Sequence, residues 1–251
     1  IATPAALMVG VGKGAEAGIL IRGGEVLERA RSLTTVVFDK TGTLTRGEPN
    51  VTDIVPLSNL SEAEILRFAA AVEAGSEHPL GEAIVRAAKH RELDLPRVTN
   101  FEAIPGHGIR GEIAPPPSPS PLEGEGWVGV ASVRVLFGNR RLFAREGIDA
   151  MPAEEAMAHL EQEGKTAMLI GVDGALAGII AVADTLKPEA KEAIAALQDE
   201  GIDVVMLSGD NRRTAEAIGR ELGIANVIAE VLPADKAKVI QDLQKQKKVV
   251  A

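Results

Sequence analysis

The residues that by type and spacing most clearly suit catalysis form the run Asp-Lys-Thr-Gly-Thr-Leu-Thr from Asp39 to Thr45. The β-branched, apolar run from Thr34 to Phe38 precedes it and is typical of a buried parallel strand. An aspartate at the carboxyl end of such a strand stands where α/β sheets bind ligands, and its carboxylate can act as a nucleophile that forms an acyl phosphate. Gly42 would let backbone donors approach a phosphoryl group. We therefore expect Asp39 to accept a phosphoryl group; the plainer alternative is an Asp-rich turn or a helix N-cap.

Two further turns carry side chains that suit the same chemistry. The run Met-Leu-Ser-Gly-Asp-Asn from Met206 to Asn211 follows another predicted strand, and the Ser208 hydroxyl can donate to a phosphoryl group. The run Pro-Ala-Asp-Lys places Lys236 near a predicted helix start. Alone, the first run is an ordinary strand-to-helix turn with Asn211 near a cap, and a lone lysine is usually solvated. Both gain weight because they follow the Asp39 run along the same chain.

A third group of residues lies in the middle of the chain. Glu73 to Leu80 reads Glu-Ala-Gly-Ser-Glu-His-Pro-Leu, and a histidine such as His78 in this setting is by itself most often a surface or helix-start residue. Gly106 and Gly108 flank a histidine in a glycine turn, where missing side chains would let the backbone approach a ligand. A lone Gly-x-Gly pattern is weak, so these residues carry an argument only as a set.

Alternating strands and helices must position these residues, which favours an α/β architecture. Strands are predicted over 34–38, 167–171, 175–182, 203–207 and 227–229, and helices over 61–74, 79–93, 154–163, 187–200, 212–222 and 234–244. The regular last third resembles the first strand more than it resembles the middle, so the middle is interpreted as an insertion between two halves of one domain. The Pro-rich segment 114–126 is predicted to be an exposed loop joining two strands, with a polyproline ligand as the alternative.

The composition excludes several classes of function. The 251 residues carry a formal net charge of -9, which argues against a nucleic-acid partner. Aromatic residues make up 2%, with Trp127 alone and no Tyr, so a site built on aromatic stacking is not expected. The absence of Cys excludes disulfides and thiolate metal sites within this chain. The apolar stretch from Ile1 to Gly12 is shorter than the about 20 residues that a membrane helix needs.

The run at Asp39 resembles the phosphorylation signature of P-type ATPases, within the haloacid dehalogenase-like superfamily. Phosphatases of that superfamily carry a second, acid/base Asp where this chain has Thr41, and its loss should slow hydrolysis of an aspartyl phosphate. The resemblance implies Mg²⁺ held by the Asp39 carboxylate and the Thr41 backbone carbonyl. It also implies catalytic roles for a set drawn from three motifs: Asp39, Lys40, Thr41, Ser208, Gly209, Asp210 and Lys236.

The middle motifs together resemble the nucleotide-binding domain of the heavy-metal subgroup of P-type ATPases. In that subgroup the histidine of Ser-Glu-His-Pro-Leu orients the adenine end of ATP, and an upstream glutamate contacts the base. The resemblance therefore implies ATP as ligand and a set of binding residues: Glu73, His78, Gly106, Gly108, Gly138 and Asn139.

The resemblance implies a domain plan and a place in a larger protein. Residues 1–31 would be the end of a transmembrane helix and a stalk, 32–49 plus 181–251 a split phosphorylation domain with a Rossmann-like, haloacid dehalogenase-type parallel sheet, and 50–180 an inserted α+β nucleotide-binding domain with an antiparallel sheet. The Ala-Thr-Pro form at the start resembles copper(I)/silver pumps, whereas zinc/cadmium/lead relatives more often show Ser-Thr-Pro. We therefore expect the ATP-handling part of a soft-metal pump, favouring Cu(I), at the cytoplasmic face of a membrane.

Several alternatives stay open. The ion could be zinc or cadmium, or the chain could be a soluble phosphatase of the same superfamily, which Thr41 argues against. The family pattern continues with a Gly-Asp-Gly-x-Asn-Asp motif beyond Ala251, so the chain alone could bind nucleotide without full turnover. The expected partners are ATP, Mg²⁺ and the actuator and transmembrane parts of the same pump, and the transported ion is not expected to bind this chain.

Overall fold

The computed structural model describes residues 2–21, 24–76, 78–114 and 132–251. Apart from Ala114, the predicted Pro-rich loop therefore lies outside the described residues, as do Trp127, Glu77 of the Ser-Glu-His-Pro-Leu motif and Ile1. Within the described part of the chain, no helix has the length and apolar character that crossing a bilayer requires.

Helices and strands alternate along most of the chain. The helices are α1 Ala2–Glu16, α2 Gly24–Arg31, α3 Glu62–Glu73, α4 Pro79–His90, α5 Arg140–Arg145, α6 Glu154–Gln162, α7 Ala190–Asp199, α8 Arg212–Leu222 and α9 Lys236–Lys245. The strands are β1 Thr35–Asp39, β2 Asn50–Pro56, β3 Val98–Ile104, β4 Gly108–Ile113, β5 Val133–Gly138, β6 Thr166–Val172, β7 Ala175–Ala183, β8 Asp203–Leu207 and β9 Asn226–Ile228.

A parallel sheet of order β1-β8-β9 joins the two ends of the chain. Asp39, the last residue of β1, pairs with Leu207, the last residue of β8, so both strands end at one edge of the sheet. Val250 forms a further parallel bridge to Thr35. The core beneath this sheet is formed by buried residues of β8, α7 and α8, among them Ile194, Met206 and Ala215. Because parallel strands bind ligands at their carboxyl ends, this edge is the natural place for a site.

The second sheet is antiparallel, with strand order β2-β7-β6-β5-β4-β3. One face packs against α3 and α4 through a core that includes Ile65, Ile84 and Ile180. The other face packs against α5 and α6 through a core that includes Phe143, Met157 and Leu169. The predicted α/β class, with one parallel and one antiparallel sheet, is therefore confirmed. The predicted domain boundaries at 49/50 and 180/181 stay predictions.

Each strand and helix predicted by range is found, but β2 to β5, α2 and α5 had no predicted range, and a few helix ends differ. The Ser61 capping box forms as predicted, with the Ser61 side chain accepting from the Glu64 amide and the Glu64 side chain accepting from the Ser61 amide. Helix α7 begins at Ala190 and not at Lys187, because the Lys187 amide donates to Leu44 O at 2.9 Å and holds this segment beside the Asp39 turn. Helix α4 ends at His90 and not at 93, since Glu92 adopts a φ of 55° that a helix cannot continue.

Candidate phosphoryl-transfer and nucleotide site

Asp39 and Lys236 meet at the carboxyl edge of the parallel sheet. Asp39 ends β1, and Lys236 is the first residue of α9, which follows a short helical turn over Pro233–Asp235. The distance from Lys236 Nζ to Asp39 Oδ2 is 2.5 Å. The two side chains are 34% and 42% exposed, so a ligand can reach them. The Asp39 run and the Pro-Ala-Asp-Lys run are therefore brought together, with the Lys236 cation beside the carboxylate that would accept a phosphoryl group.

The run from Met206 to Asn211, called the second motif below, holds the side chain of Lys40, the lysine that follows Asp39. Lys40 is 8% exposed, and its Nζ lies 2.5 Å from Asp210 Oδ2. Ser208 Oγ donates to the same carboxylate oxygen at 2.8 Å, and Thr166 Oγ1 donates to Asp210 Oδ1 at 3.0 Å. Burial would raise the pKa of Asp210, but the charge of Lys40 and the hydrogen bonds from Lys40, Ser208 and Thr166 together lower it. Asp210 is thus an ionised anchor for Lys40.

Gly209 lies between Ser208 and Asp210 in the second motif. A Cβ at this position would meet Val231 O only at 3.5 Å, an ordinary contact distance, so packing does not by itself require glycine here. A glycine that packing does not require is consistent with close approach of a ligand to the backbone.

The turn after Asp39 is held by residues that sequence reasoning missed. Gly42 adopts a φ of 76°, and its amide donates to Thr45 Oγ1 at 3.2 Å. Thr45 Oγ1 in turn donates to Asp184 Oδ2 at 2.5 Å, and the same oxygen accepts from the Gly47 amide at 3.1 Å. Lys187 Nζ donates to Gly42 O at 3.0 Å. Asp184 follows a predicted strand end as Asp39 does, and that position is the signal by which it could have been found.

The residues near Asp39 fit a Mg²⁺ ion for which water and phosphate oxygens supply most of the ligands. No group of three His, Cys, Asp or Glu side chains able to hold a metal occurs among the described residues. Carboxylate and carbonyl oxygens, as at Asp39 and Thr41, are the ligands that Mg²⁺ prefers, and this ion usually binds through one or two carboxylates plus substrate phosphates. The donor set therefore suits Mg²⁺ delivered with a nucleotide better than a metal caged by protein alone.

Glu73 and His78 lie at the junction between α3 and α4. His78 is the N-cap of α4, and its Nδ1 accepts from the Leu80 amide at 3.2 Å. In the neutral ring, Nε2 then carries the proton and can donate to a ligand. A Cβ at Gly81 would stand 2.2 Å from Glu73 Oε2, so this glycine leaves room for the carboxyl group.

Glu73 is a buried carboxyl group with an unsatisfied oxygen. Among the described residues, no hydrogen-bond donor reaches its Oε2. Burial raises the pKa of Glu73 to about 6, although a hydrogen bond from Ser76 partly opposes this. Glu73 and Ser76 also border a cleft of about 430 Å³, a volume within the range of small-molecule sites. The other predicted nucleotide-binding residues do not line this cleft.

The remaining predicted residues cluster where β4, β5 and α5 meet. Asn139 is the N-cap of α5, accepting from the Leu142 amide, and its Nδ2 donates to Gly106 O at 2.9 Å. A Cβ at Gly108 would lie 2.2 Å from Phe137 O, and one at Gly138 would lie 2.4 Å from His107 O. Both glycines are therefore required by the close approach of β4 and β5. No hydrogen bond within the described ranges joins this cluster to Glu73 or His78.

The antiparallel sheet and its helices contact the parallel part of the chain through an ion-pair network on α6 and α8. Glu161, whose side chain is 1% exposed, pairs with Arg140 and with Arg213, the latter at 3.3 Å. Arg213 also pairs with Glu154 at 2.8 Å. Beside this network, Thr214 Oγ1 donates to Lys165 O at 2.7 Å. These contacts hold the start of β6 against the helix that follows the second motif.

Comparison with known proteins agrees with this geometry. The haloacid dehalogenase-like hydrolase family model matches residues 33–251. The copper-exporting P-type ATPase of Bacillus subtilis (strain 168) is 47% identical over 246 residues, which are 98% of this chain and 29% of that protein.

Two solved structures extend the comparison to the fold. A zinc-transporting PIB-type ATPase in its E2.Pi state is 39% identical with a TM-score of 0.65, covering 99% of this chain and 37% of that one. The catalytic domain of the CPx-ATPase CopB-B is 25% identical with a TM-score of 0.65, covering 95% of this chain and 77% of that one. The chain spans less than a third of the length of the Bacillus relative. It belongs to the haloacid dehalogenase-like hydrolase family, and its relatives within that family are heavy-metal P-type ATPases.

Proposed function

We propose that this chain binds ATP with Mg²⁺ and accepts the γ-phosphoryl group on Asp39, as the cytoplasmic catalytic part of a heavy-metal P-type ATPase. The observation that carries the proposal is the contact between Lys236 Nζ and Asp39 Oδ2, at 2.5 Å, on the strand edge where Ser208 also lies. An accessible carboxylate with a neighbouring cation matches what phosphoryl transfer requires, which is positioning and charge neutralisation.

In the proposed reaction, a carboxylate oxygen of Asp39 attacks the γ-phosphorus, and the bond to the β–γ bridging oxygen breaks so that ADP leaves. Lys236 stabilises the negative charge on the transferred group. The Ser208 hydroxyl, which donates to Asp210 in this structure, would turn toward the phosphoryl group to donate to it, and Lys40 stays paired with Asp210. Mg²⁺, when bound through Asp39 and the Thr41 carbonyl, neutralises further phosphate charge. With Thr41 in place of an acid/base Asp, the aspartyl phosphate is expected to hydrolyse slowly.

For the nucleotide, we propose that the adenine end lies near Glu73, His78, Gly106, Gly108, Gly138 and Asn139. Two features support this placement. His78 presents Nε2 as a donor, because Nδ1 is occupied by the Leu80 amide. Glu73 keeps an unsatisfied carboxyl oxygen that a ligand amino group could pair with. Closure of the antiparallel sheet toward the parallel sheet would then bring the γ-phosphoryl group to Asp39.

For the transported ion we propose Cu(I), which the copper-exporting name of the 47% identical relative supports. Zinc is the second candidate, because a zinc-transporting ATPase is 39% identical over 99% of the chain. In either case the actuator and transmembrane parts of the pump would be the partners, the chain would act at the cytoplasmic face of the membrane, and the ion itself would bind elsewhere in the pump.

The test is transfer of radioactivity from γ-labelled ATP to the purified chain. We expect an acid-stable, hydroxylamine-sensitive label that is lost in Asp39→Asn and kept in Asp199→Asn, an exposed aspartate at the end of α7. A label that persists in Asp39→Asn would overturn the assignment of the phosphoryl acceptor. Rapid release of phosphate from small phosphoesters would favour a phosphatase instead.

A further inference from the structure

Thr166 connects the antiparallel sheet to the second motif of the phosphoryl site. It is the first residue of β6, and its Oγ1 donates to Asp210 Oδ1 at 3.0 Å. The residue before it, Lys165, accepts from Thr214 Oγ1 of α8 through its backbone oxygen at 2.7 Å. Thr166 and the residue just before β6 thus engage the turn and helix that follow β8.

The carboxylate of Asp210 has each of its oxygens engaged. Oδ2 pairs with Lys40 Nζ at 2.5 Å and accepts from Ser208 Oγ at 2.8 Å, while Oδ1 accepts from Thr166. The Asp210 amide donates back to Ser208 Oγ at 3.1 Å. Thr166 is the partner among these that belongs to the antiparallel sheet. Without its hydroxyl, Oδ1 would lose a donor at a site of little solvent access, and the carboxylate would be free to rotate away from Lys40.

We propose that Thr166 is a positioning residue for phosphoryl transfer: it fixes the Asp210 carboxylate, which holds Lys40 and through it the turn that follows Asp39. This inference rests on the proposed function of Asp39. Thr166 belongs to the antiparallel sheet, so a residue outside the predicted motifs takes part in holding Lys40.

The interface that places Thr166 does not depend on its hydroxyl. Arg213 of α8 pairs with Glu154 and Glu161 of α6, and Arg140 pairs with the same two glutamates. The network therefore holds α6 and the start of β6 against α8 beside the Thr166–Asp210 hydrogen bond. Replacing Thr166 by Val removes the hydroxyl while leaving this network in place. Arg212→Ala removes an exposed ion pair with Glu216 on the same helix without touching this network or Asp210, and it is the matched control.

The first measurement is the rate of Asp39 phosphorylation and its dependence on ATP concentration. We expect Thr166→Val to lower the rate at saturating ATP by about 10-fold with an unchanged ATP concentration for half-maximal rate, and Thr166→Ser to restore the rate. Arg212→Ala should keep the rate of the parent chain. Equal rates in Thr166→Val and the parent, or equal losses in Thr166→Val and Arg212→Ala, would overturn the inference while leaving the proposed function standing.

The second measurement needs no turnover. Amine acylation followed by mass spectrometry reports how firmly Lys40 is held, with the exposed Lys238 of α9 as internal reference. We expect Lys40 to react several-fold faster in Thr166→Val than in the parent chain, Thr166→Ser or Arg212→Ala. An unchanged Lys40 rate in Thr166→Val overturns the inference. Absence of any hydroxylamine-sensitive label in the parent chain overturns the proposed function, and the inference with it.

Discussion

Lys236 Nζ lies 2.5 Å from Asp39 Oδ2, although 197 positions separate the two residues in the chain. The parallel sheet makes this contact possible, because β1 ends at Asp39 on the edge over which α9 begins. Both side chains are about one-third or more exposed, at 34% and 42%, so the ion pair contributes little to folding stability. Under the proposed function, Lys236 would lower the free energy of bringing a phosphate to this carboxylate.

Replacing Lys236 by Met is therefore expected to separate catalysis from stability. We expect the phosphorylation rate to fall on the order of 100-fold, as for the loss of one preorganised charge-stabilising group. The free energy of unfolding in urea should change by less than about 1 kcal/mol. Lys238→Met, an exposed lysine on the same helix, should leave both quantities unchanged. A Lys236→Met chain that phosphorylates at the parent rate would show that this contact is only structural.

The sequence predicted the parts of the site that depend on local patterns. Asp39 and Ser208 each follow an apolar strand, and strand ends of a parallel sheet converge, so their proximity could be predicted without coordinates. Thr166 could not be assigned in this way. Its partner is Asp210, which is distant in sequence, and the pairing depends on how two separately formed sheets pack.

His78 has two separable roles, and a pair of substitutions can distinguish them. Its Nδ1 caps α4, and loss of an N-cap costs about 1 kcal/mol. We expect His78→Ala to lose both ATP affinity and this stability. His78→Asn keeps an oxygen acceptor for the Leu80 amide and should keep the stability while still losing ATP affinity. Calorimetric ATP titration and urea unfolding measure the two quantities, and unchanged ATP affinity in both variants would refute the adenine-site assignment.

The glycine turn before β4 gives a third prediction. Gly108 has a φ of 147°, and a Cβ there would lie 2.2 Å from Phe137 O, so Gly108→Ala must push β4 away from β5. Strain and overpacking together should cost about 3 kcal/mol. Gly106 has a φ of 73°, and its nearest contact would be Leu232 Cδ2 at 3.4 Å, so Gly106→Ala should cost about 1 kcal/mol.

Thermal unfolding of the two alanine variants checks this difference. For a chain of this length, about 1 kcal/mol lowers the melting temperature by about 2–4 °C, so Gly108→Ala should melt about three times further below the parent than Gly106→Ala. Equal melting temperatures would mean that Gly108 is not fixed by strand packing, and that its role lies with the ligand alone.

Glu73 makes the stability of the fold depend on pH in an unusual direction for a carboxyl group. Burial raises its pKa from 4.5 to about 6, so between these two pH values the folded chain holds a proton that the unfolded chain has released. The contribution of Glu73 to stability therefore falls as pH rises through this window and stays at its low value above it. The change corresponds to about 2 kcal/mol at neutral pH.

The variant Glu73→Gln isolates this effect, because the amide is neutral at every pH in the window. We expect the free energy of unfolding of Glu73→Gln, relative to the parent, to rise by about 2 kcal/mol between pH 4.5 and pH 7. Glu200→Gln, an exposed glutamate at the end of α7, should show no such trend and controls for the general effect of removing a charge. Urea unfolding at a series of pH values gives both curves. A difference between Glu73→Gln and the parent that stays constant across the window would mean that Glu73 is ionised in the folded chain without penalty, and that a donor other than ATP already satisfies it.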